Sequence, residues 1–179
     1  MALKPTIFKI KVSLTDLNRN IYESLNLTLA QHPSETTERM LVRLLAYCLN
    51  YHEQLEFCKG LSDTEEPDLW LKSLVGDTEL WIEVGEPAVE RIRKATRQAG
   101  QTAVYCFNSK ADTWWQIEQP KLEGINAHIS QLPWPELRLL AEMVERTMDV
   151  SVTISGDSVF VATAKGEVEL TVKTLQDSA

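Results

Sequence analysis

The sequence lacks the short patterns that mark several common classes of enzyme and binding protein. It has no glycine-rich phosphate loop, no Gly-x-Ser-x-Gly turn, no His-Glu-x-x-His helix and no Cys-x-x-Cys pair. These patterns carry nucleotide binding, serine hydrolysis, zinc-dependent proteolysis and small zinc sites, respectively. Their absence disfavours each of those functions for this protein.

Cysteines and long apolar runs are also scarce. The three cysteines, Cys48, Cys58 and Cys106, are odd in number and widely spaced, so we expect free thiols and a cytoplasmic protein. No apolar run approaches the ~20 residues of a membrane helix, and we expect no membrane partner. The N-terminal segment alternates lysine with apolar residues, which is a strand pattern rather than a signal peptide.

Positive charge is the remaining deficit. Eighteen Lys and Arg residues face 26 Asp and Glu residues, which gives a formal net charge of −8. Bulk electrostatic binding of nucleic acid requires clustered Lys and Arg, so the composition disfavours it. A local basic face is still compatible with this total.

The order of patterns along the 179 residues predicts one α/β domain. Alternation over residues 6–14 and 21–29 predicts a β-hairpin. Residues 34–132 have the order helix, strand, strand, helix, strand, helix, strand, which is typical of a mixed sheet flanked by helices. A further helix and a three-stranded meander follow, and we expect the antiparallel strands of 1–30 and 148–175 to pair with each other.

The first helix is expected to begin at an N-cap on Ser34 and to continue to Leu55. Cys48 and His52 lie one turn apart in its apolar stripe, with Cys58 nearby. These side chains are compatible with a metal site, but a buried core pair of Cys48 and His52 is the favoured interpretation.

Charged residues of this helix divide by their position on the helical wheel. Glu38 lies at the edge of the apolar stripe in the first turn, where it faces the following strands or interacts with the helix dipole. Arg39 and Arg43 are predicted on the far side, away from the core.

Two acidic residues stand in strands that are expected to be buried. Asp68 lies in one short strand, and Glu83 lies in the next, whose apolar residues on both faces predict a central position. If the strands are neighbours, the two carboxylates converge and require compensation. A divalent cation such as Mg²⁺ provides it. A structural ion pair with Arg or Lys is the alternative.

The helix after these strands carries Arg91, Arg93, Lys94 and Arg97. They form either a local phosphate-contacting patch for nucleic acid or a solvated charged face beside Glu86 and Glu90, and the second interpretation is favoured. Further along, Trp114 and Trp115 are suited to stacking with bases, but core packing of at least one ring is favoured.

The chain resembles the YaeQ family of bacterial proteins over essentially its whole length. The segments that carry the resemblance are "MALKPTIFK", "HPSETTERMLVRLLAY", "EPDLWL", "LWIEVGEP" followed by "RIRKA", "NSKADTWW" and "ERTM". The family's fold is similar to that of PD-(D/E)XK nucleases. The resemblance therefore implies a restriction-endonuclease-like core over about 34–132, with added antiparallel strands from both termini.

The resemblance also implies a catalytic site. Asp68 and Glu83 match the two acids of the nuclease pattern and would hold Mg²⁺, and Glu38 matches the acid often found on the first helix. Gly85 stands where the pattern has a lysine, which makes Lys94 the candidate to assist the attacking water. The alternative is a non-catalytic regulatory or protein-interaction module that retains the fold.

Overall fold

The computed structural model describes residues 4–59, 61 and 63–178. The first three residues of the N-terminal segment and Ser62 of the acidic loop lie outside this range. The chain divides into two compact units: Met1–Leu49 with Pro133–Val172, and Asn50–Leu132 with Lys173–Ala179. Among the described residues, no helix is long and apolar enough to cross a membrane.

Strands and helices alternate through the middle of the chain and strands dominate its ends, so the protein is mixed α/β. In chain order the elements are β1 (Thr6–Asp16), β2 (Ile21–Gln31), α1 (Thr37–Leu49), β3 (Leu55–Phe57), β4 (Leu69–Lys72), β5 (Thr78–Val84), α2 (Val89–Gln98), β6 (Gln101–Cys106), α3 (Ala111–Leu122), β7 (His128–Gln131), α4 (Trp134–Ala141), β8 (Thr147–Ser155), β9 (Ser158–Thr163), β10 (Gly166–Thr171) and β11 (Lys173–Gln176).

The first unit is built on a five-stranded sheet of order β10-β9-β8-β1-β2. The predicted hairpin of β1 and β2 and the meander of β8, β9 and β10 are confirmed. The two chain ends do pair with each other, as expected, but β1 and β8 run parallel. The patterns in the sequence predict no direction for this pairing, because the direction of a long-range pairing leaves no mark on local alternation.

Helix α1 differs from its prediction at both ends. It begins at Thr37, with the Thr36 hydroxyl accepting the Arg39 amide at 3.1 Å, so Thr36 rather than Ser34 is the cap. It ends at Leu49, and Leu55 belongs to β3. His52 is consequently exposed in the intervening turn and does not form a core pair with the buried Cys48.

Arg43 is the second correction on α1. It is only 3% exposed, although the helical wheel predicted it on the solvent side. Its Nε and Nη2 atoms donate to the two carboxylate oxygens of Glu35 at 2.9 and 2.7 Å, and Nη2 also donates to the Ala30 carbonyl. Arg39 donates to the same carboxylate at 2.6 Å. A complete ion pair makes this burial possible.

The second unit is built on a six-stranded mixed sheet of order β11-β7-β6-β5-β4-β3. The strands β5, β6 and β7 are parallel, and antiparallel neighbours flank them on both sides. The predicted central position of β5 is confirmed, since it lies between β4 and β6. Whether residues 34–132 act as one nuclease-like core stays a prediction.

Two C-terminal elements are shorter than predicted. Helix α4 ends at Ala141, because the turn after it leads into β8. The final predicted strand breaks at Val172, and its second half becomes β11, which pairs with β7 in the other sheet. One continuous apolar alternation therefore forms strands in both sheets. The position of the break depends on the pairing of β10 with β9 and of β11 with β7, which the alternation does not encode.

Cys48, Cys58 and Cys106 are free thiols, as expected, and burial raises the pKa of Cys48 and of Cys106 to about 12. Trp114 and Trp115 are half-buried against the core cluster that includes Ile92 and Leu122. The predicted core packing of at least one ring is confirmed.

Candidate functional site

Asp68 is fixed in the second unit by its backbone as well as by its carboxylate. It immediately precedes β4, and its amide donates to the Ile82 carbonyl of β5 at 3.0 Å. Its Oδ2 accepts the Val84 amide at 2.8 Å. Asp68 is only 3% exposed, so the carboxylate is held against the end of β5 with little water around it.

Glu83 is buried on the neighbouring strand, at 4% exposure. Its Oε1 accepts the Trp81 Nε1–H at 2.8 Å and the Arg91 Nε–H at 2.8 Å. The contact with Trp81 confirms that alternate residues of β5 share a face. By contrast, Glu79 at the start of the strand is exposed to water. Glu83 is therefore the acid of this strand whose buried negative charge requires a positive partner.

The charge of Asp68 affects the ionisation of Glu83. Burial raises the pKa of Glu83 above its ordinary value, and the charge of Asp68 raises that pKa further. The hydrogen bond from Trp81 and the guanidinium of Arg91 oppose this rise without cancelling it. Asp68 and Glu83 therefore form one electrostatic unit, as the neighbouring strands predicted.

Arg91 on α2 supplies the positive charge beside this pair. Besides its 2.8 Å ion pair with Glu83, it donates to the carbonyls of Thr64 at 2.6 Å and Glu66 at 2.9 Å. One side chain thus connects the first turns of α2, the strand β5 and the acidic loop. The sequence interpretation included an arginine partner for a buried acid but did not single out Arg91.

The backbone at Gly85 accounts for the absence of a lysine two residues after Glu83, where the nuclease pattern has one. Its φ of +111° is a conformation that residues with a Cβ rarely adopt, and its amide donates to the Tyr105 carbonyl at 2.8 Å. A lysine here would strain the backbone at the point where β5 turns toward α2. The pattern is therefore interrupted by a backbone requirement of this turn.

The other basic residues of α2 point into solvent. Lys94 is 56% exposed and lies 3.2 Å from Glu65 of the acidic loop. Arg93 pairs with Glu90 one turn away, and Arg97 is exposed. Acidic neighbours thus reduce the positive charge that this helix presents to a phosphate.

Glu38, the fourth predicted site residue, lies in the first unit. It occupies the first turn of α1 and is half-buried. In that turn a carboxylate interacts favourably with the positive end of the helix dipole. Asp68, Glu83 and Lys94 all belong to the second unit.

The acid pair offers few side-chain donors to a cation. Among the described residues there is no group of three or more His, Cys, Asp or Glu side chains placed to hold a metal. Mg²⁺ commonly uses one or two carboxylates and keeps several waters. Both side-chain donors to Glu83 in the described structure reach Oε1, so a cation held through Oε2 and Asp68 is compatible with the observed contacts.

The raised pKa of Glu83 predicts a specific dependence of stability on pH. Above the ordinary value of about 4.5, the unfolded chain releases this proton while the folded protein still holds it. The free energy of unfolding therefore falls as pH rises from 4.5 to the higher folded pKa, by ~1.4 kcal/mol per pH unit where the difference is complete.

Glu83→Gln removes this term, so the variant is expected to lose less stability than wild type across that pH range. Urea denaturation at a series of pH values measures the difference. The control is Glu79→Gln, which makes the same change at an exposed acid of the same strand. Parallel pH profiles for wild type and Glu83→Gln would contradict the assignment.

Comparison with known proteins places this geometry in a family. The family model described as YaeQ protein matches residues 1–172. An uncharacterized YaeQ protein of Salmonella typhi is 40% identical, and one of Escherichia coli K12 is 39% identical, each over 98% of both chains.

Solved structures agree over the whole fold. The crystal structure of YaeQ protein from Pseudomonas syringae is 40% identical with a TM-score of 0.93, covering 97% of each chain. That from Xanthomonas axonopodis pv. citri is 34% identical with a TM-score of 0.93, covering 97% of this chain and 99% of that one. On sequence and on structure, this chain belongs to the YaeQ family.

Proposed function

We propose that this protein is a Mg²⁺-dependent phosphodiesterase with a nuclease-like fold. The observation that supports it is the pair of acids on adjacent strands, Asp68 and Glu83, which are 3% and 4% exposed and electrostatically coupled. Burying two carboxylates together is costly unless a cation compensates both. Arg91 contributes one positive charge, so the three side chains retain one net negative charge when both acids are ionised.

In this proposal Asp68 and Glu83 would hold the cation, which would supply Lewis-acid chemistry by polarising a phosphate oxygen and lowering the pKa of an attacking water. The Val84 amide and the Trp81 indole orient the two carboxylates through their 2.8 Å hydrogen bonds. Arg91, beside Glu83, stabilises negative charge on the phosphate, and it stays protonated, so it takes no proton.

Lys94 is the proposed group that assists the water. It lies one turn after Arg91 on α2, and its present partner Glu65 is 77% exposed. Exposed ion pairs of this kind contribute only ~0–1 kcal/mol, so Lys94 can leave Glu65 and bind a phosphate at little cost in free energy. The basic side chains of this helix are then the nucleic-acid contacts of the proposal.

A non-catalytic regulatory or protein-interaction module is the second candidate, and Arg91 is the observation that favours it. Three of its contacts, to Glu83, Thr64 and Glu66, are those of a structural clamp. In that case the acid pair is compensated by the protein itself. The formal charge of −8 also suits this candidate better than nucleic-acid binding.

Metal titration separates the two candidates. We expect calorimetry with Mg²⁺ and with Mn²⁺ to show saturable binding to wild type, weakened about tenfold or more in Glu83→Gln, because one ligand charge is lost. The control Glu79→Gln changes an exposed acid of the same strand and should bind as wild type does. Absence of binding to wild type, or equal binding to all three proteins, would remove the basis of the phosphodiesterase proposal.

A nicking assay on DNA and RNA then tests the chemistry. Cleavage should require the metal and should fall in Lys94→Ala, whereas Lys121→Ala, which changes a 60% exposed lysine on α3, serves as the control. Metal binding without cleavage of either nucleic acid would favour the non-catalytic candidate.

A further inference from the structure

Strand β2 is a long, unprotected edge of the five-stranded sheet. It is 11 residues long, and β1 is its one hydrogen-bonded neighbour strand in the described part of the chain. Its pairing register is unbroken from Ile21 to Gln31 and so contains no bulge. Proline and lysine are absent from it, and Glu23 is its one charged residue. Such edges are normally blunted, because they invite pairing with another strand.

The contacts of β1 establish which backbone groups of β2 face outward. The Lys9 amide donates to the Arg146 carbonyl, the Ile7 carbonyl accepts from Arg146 Nε, and the Leu17 amide donates to the Ile154 carbonyl. The backbone N–H and C=O groups of odd-numbered β1 residues are therefore directed toward β8. The backbone N–H and C=O groups of even-numbered β1 residues are directed toward β2, where their partners have odd numbers. The even-numbered residues of β2 direct their N–H and C=O groups away from the sheet.

One end of this outward row is already occupied. The Ala30 carbonyl accepts the Nη2–H of the buried Arg43 at 3.0 Å. This contact independently confirms that even-numbered residues face outward. The open part of the edge therefore consists of Tyr22, Ser24, Asn26 and Thr28, all of which are exposed.

The inner face of the same edge is incompletely covered. The β1 side chains Val12 and Ile10 are 0% and 1% exposed, whereas their partners on β2, Leu25 and Leu27, are only half-buried. Ile21 at the start of β2 is also half-buried. A row of apolar side chains along an open backbone edge is what an added strand would cover.

We propose that β2 pairs antiparallel with β2 of a second copy of this chain and joins the two five-stranded sheets. The register that uses the whole open edge is centred on Leu25, because Tyr22 then pairs with Thr28 and Ser24 with Asn26. Leu25 meets its own counterpart on the inner face, where it becomes buried. Glu23 lies opposite Leu27, so the two-fold pairing brings no like charges together, and this symmetry favours a second copy over an unrelated strand.

Charge placed on the predicted pair tests both the interface and its register. Ser24→Glu/Asn26→Glu puts acid opposite acid twice across the two-fold axis, and we expect the dimer dissociation constant to rise about tenfold or more. Ser24→Lys/Asn26→Glu puts lysine opposite acid at both places and should restore a dimer like that of wild type. In both variants Asn26→Glu places an acid beside Lys11 of the same chain. The two opposite charges attract, so the change does not disturb the pairing of β1 with β2.

Sedimentation across a concentration series measures the association, with Ser151→Glu/Thr153→Glu as the charge-matched control on the interior strand β8. Wild type and this control should approach twice the mass of one chain. A wild type that stays monomeric throughout overturns the proposal. A dimer that the two β2 variants affect equally, or not at all, overturns it as well.

Hydrogen exchange supplies a readout independent of mass. The amides of Tyr22, Ser24, Asn26 and Thr28 should be protected in concentrated wild type and should exchange quickly in Ser24→Glu/Asn26→Glu. The amides of Leu25 and Leu27 bond within the chain and should stay protected in both. Rapid exchange at the even-numbered positions of a dimeric wild type would place the interface elsewhere.

Discussion

Replacing Arg91 with methionine is expected to lower the free energy of unfolding at neutral pH by about 2 kcal/mol. The substitution retains an unbranched apolar stem but removes the guanidinium from Glu83, which is buried beside Asp68. Removing one partner of a buried ion pair costs ~3–5 kcal/mol, and we take a smaller value because Arg91 is 33% exposed and water reaches it. Chemical denaturation measures the loss.

Two comparisons make this expectation specific to the acid pair. Arg93→Met removes an exposed ion pair with Glu90 from the same helix and should cost less than about 0.5 kcal/mol. Arg91→Met combined with Glu83→Gln should recover part of the loss, because the buried site then holds one fewer negative charge. Equal losses for Arg91→Met and Arg93→Met would mean that Arg91 does not compensate Glu83.

Glu35→Ala is expected to lower the free energy of unfolding by about 3 kcal/mol, the larger of the two effects. The side chains of Glu35 and Arg43 are 2% and 4% exposed and share two hydrogen bonds. Alanine removes the carboxylate and leaves a buried guanidinium without its main counter-charge, for which ~3–5 kcal/mol is typical. Arg43 keeps its bond to Ala30, which places the expectation at the lower end.

Glu38→Ala is the matched control for this change. Glu38 lies in the first turn of α1 and is half-buried, so its removal should cost only the ~0.3–1 kcal/mol of a helix-dipole interaction. Urea denaturation of both variants at neutral pH compares them directly. A loss for Glu35→Ala no greater than that for Glu38→Ala would show that the buried pair is energetically neutral.

Local patterns predicted most elements of the second unit and the existence of its acid pair. Alternation in β5 indicated burial on both faces, and the spacing of Asp68 and Glu83 indicated neighbouring strands, because a two-strand turn is a short-range feature. The identity of the counter-charge was harder. Arg91 flanks the apolar stripe of α2, and only the path of the acidic loop around its guanidinium directs it toward Glu83.

Non-local features account for the predictions that failed. Arg43 is buried because α1 is covered on nearly all sides, which a helical wheel with one apolar stripe does not anticipate. A signal was nevertheless present, since Glu35, Arg39 and Arg43 recur at intervals of four residues, the spacing at which helical side chains meet. The parallel pairing of β1 with β8 joins segments that are distant in the chain, and composition alone does not encode it.

The crossing of β11 into the sheet of the second unit has a consequence for biosynthesis. That unit combines residues 50–132 with a strand made some forty residues later, and Gln176 closes its edge by donating to the carbonyls of Ile125 and Ala127. The first unit is likewise split by the segment that forms the second. The first unit is completed by Pro133–Val172 and the second by the strand that follows it, so neither unit can finish folding until the part of the chain after Leu132 has emerged from the ribosome.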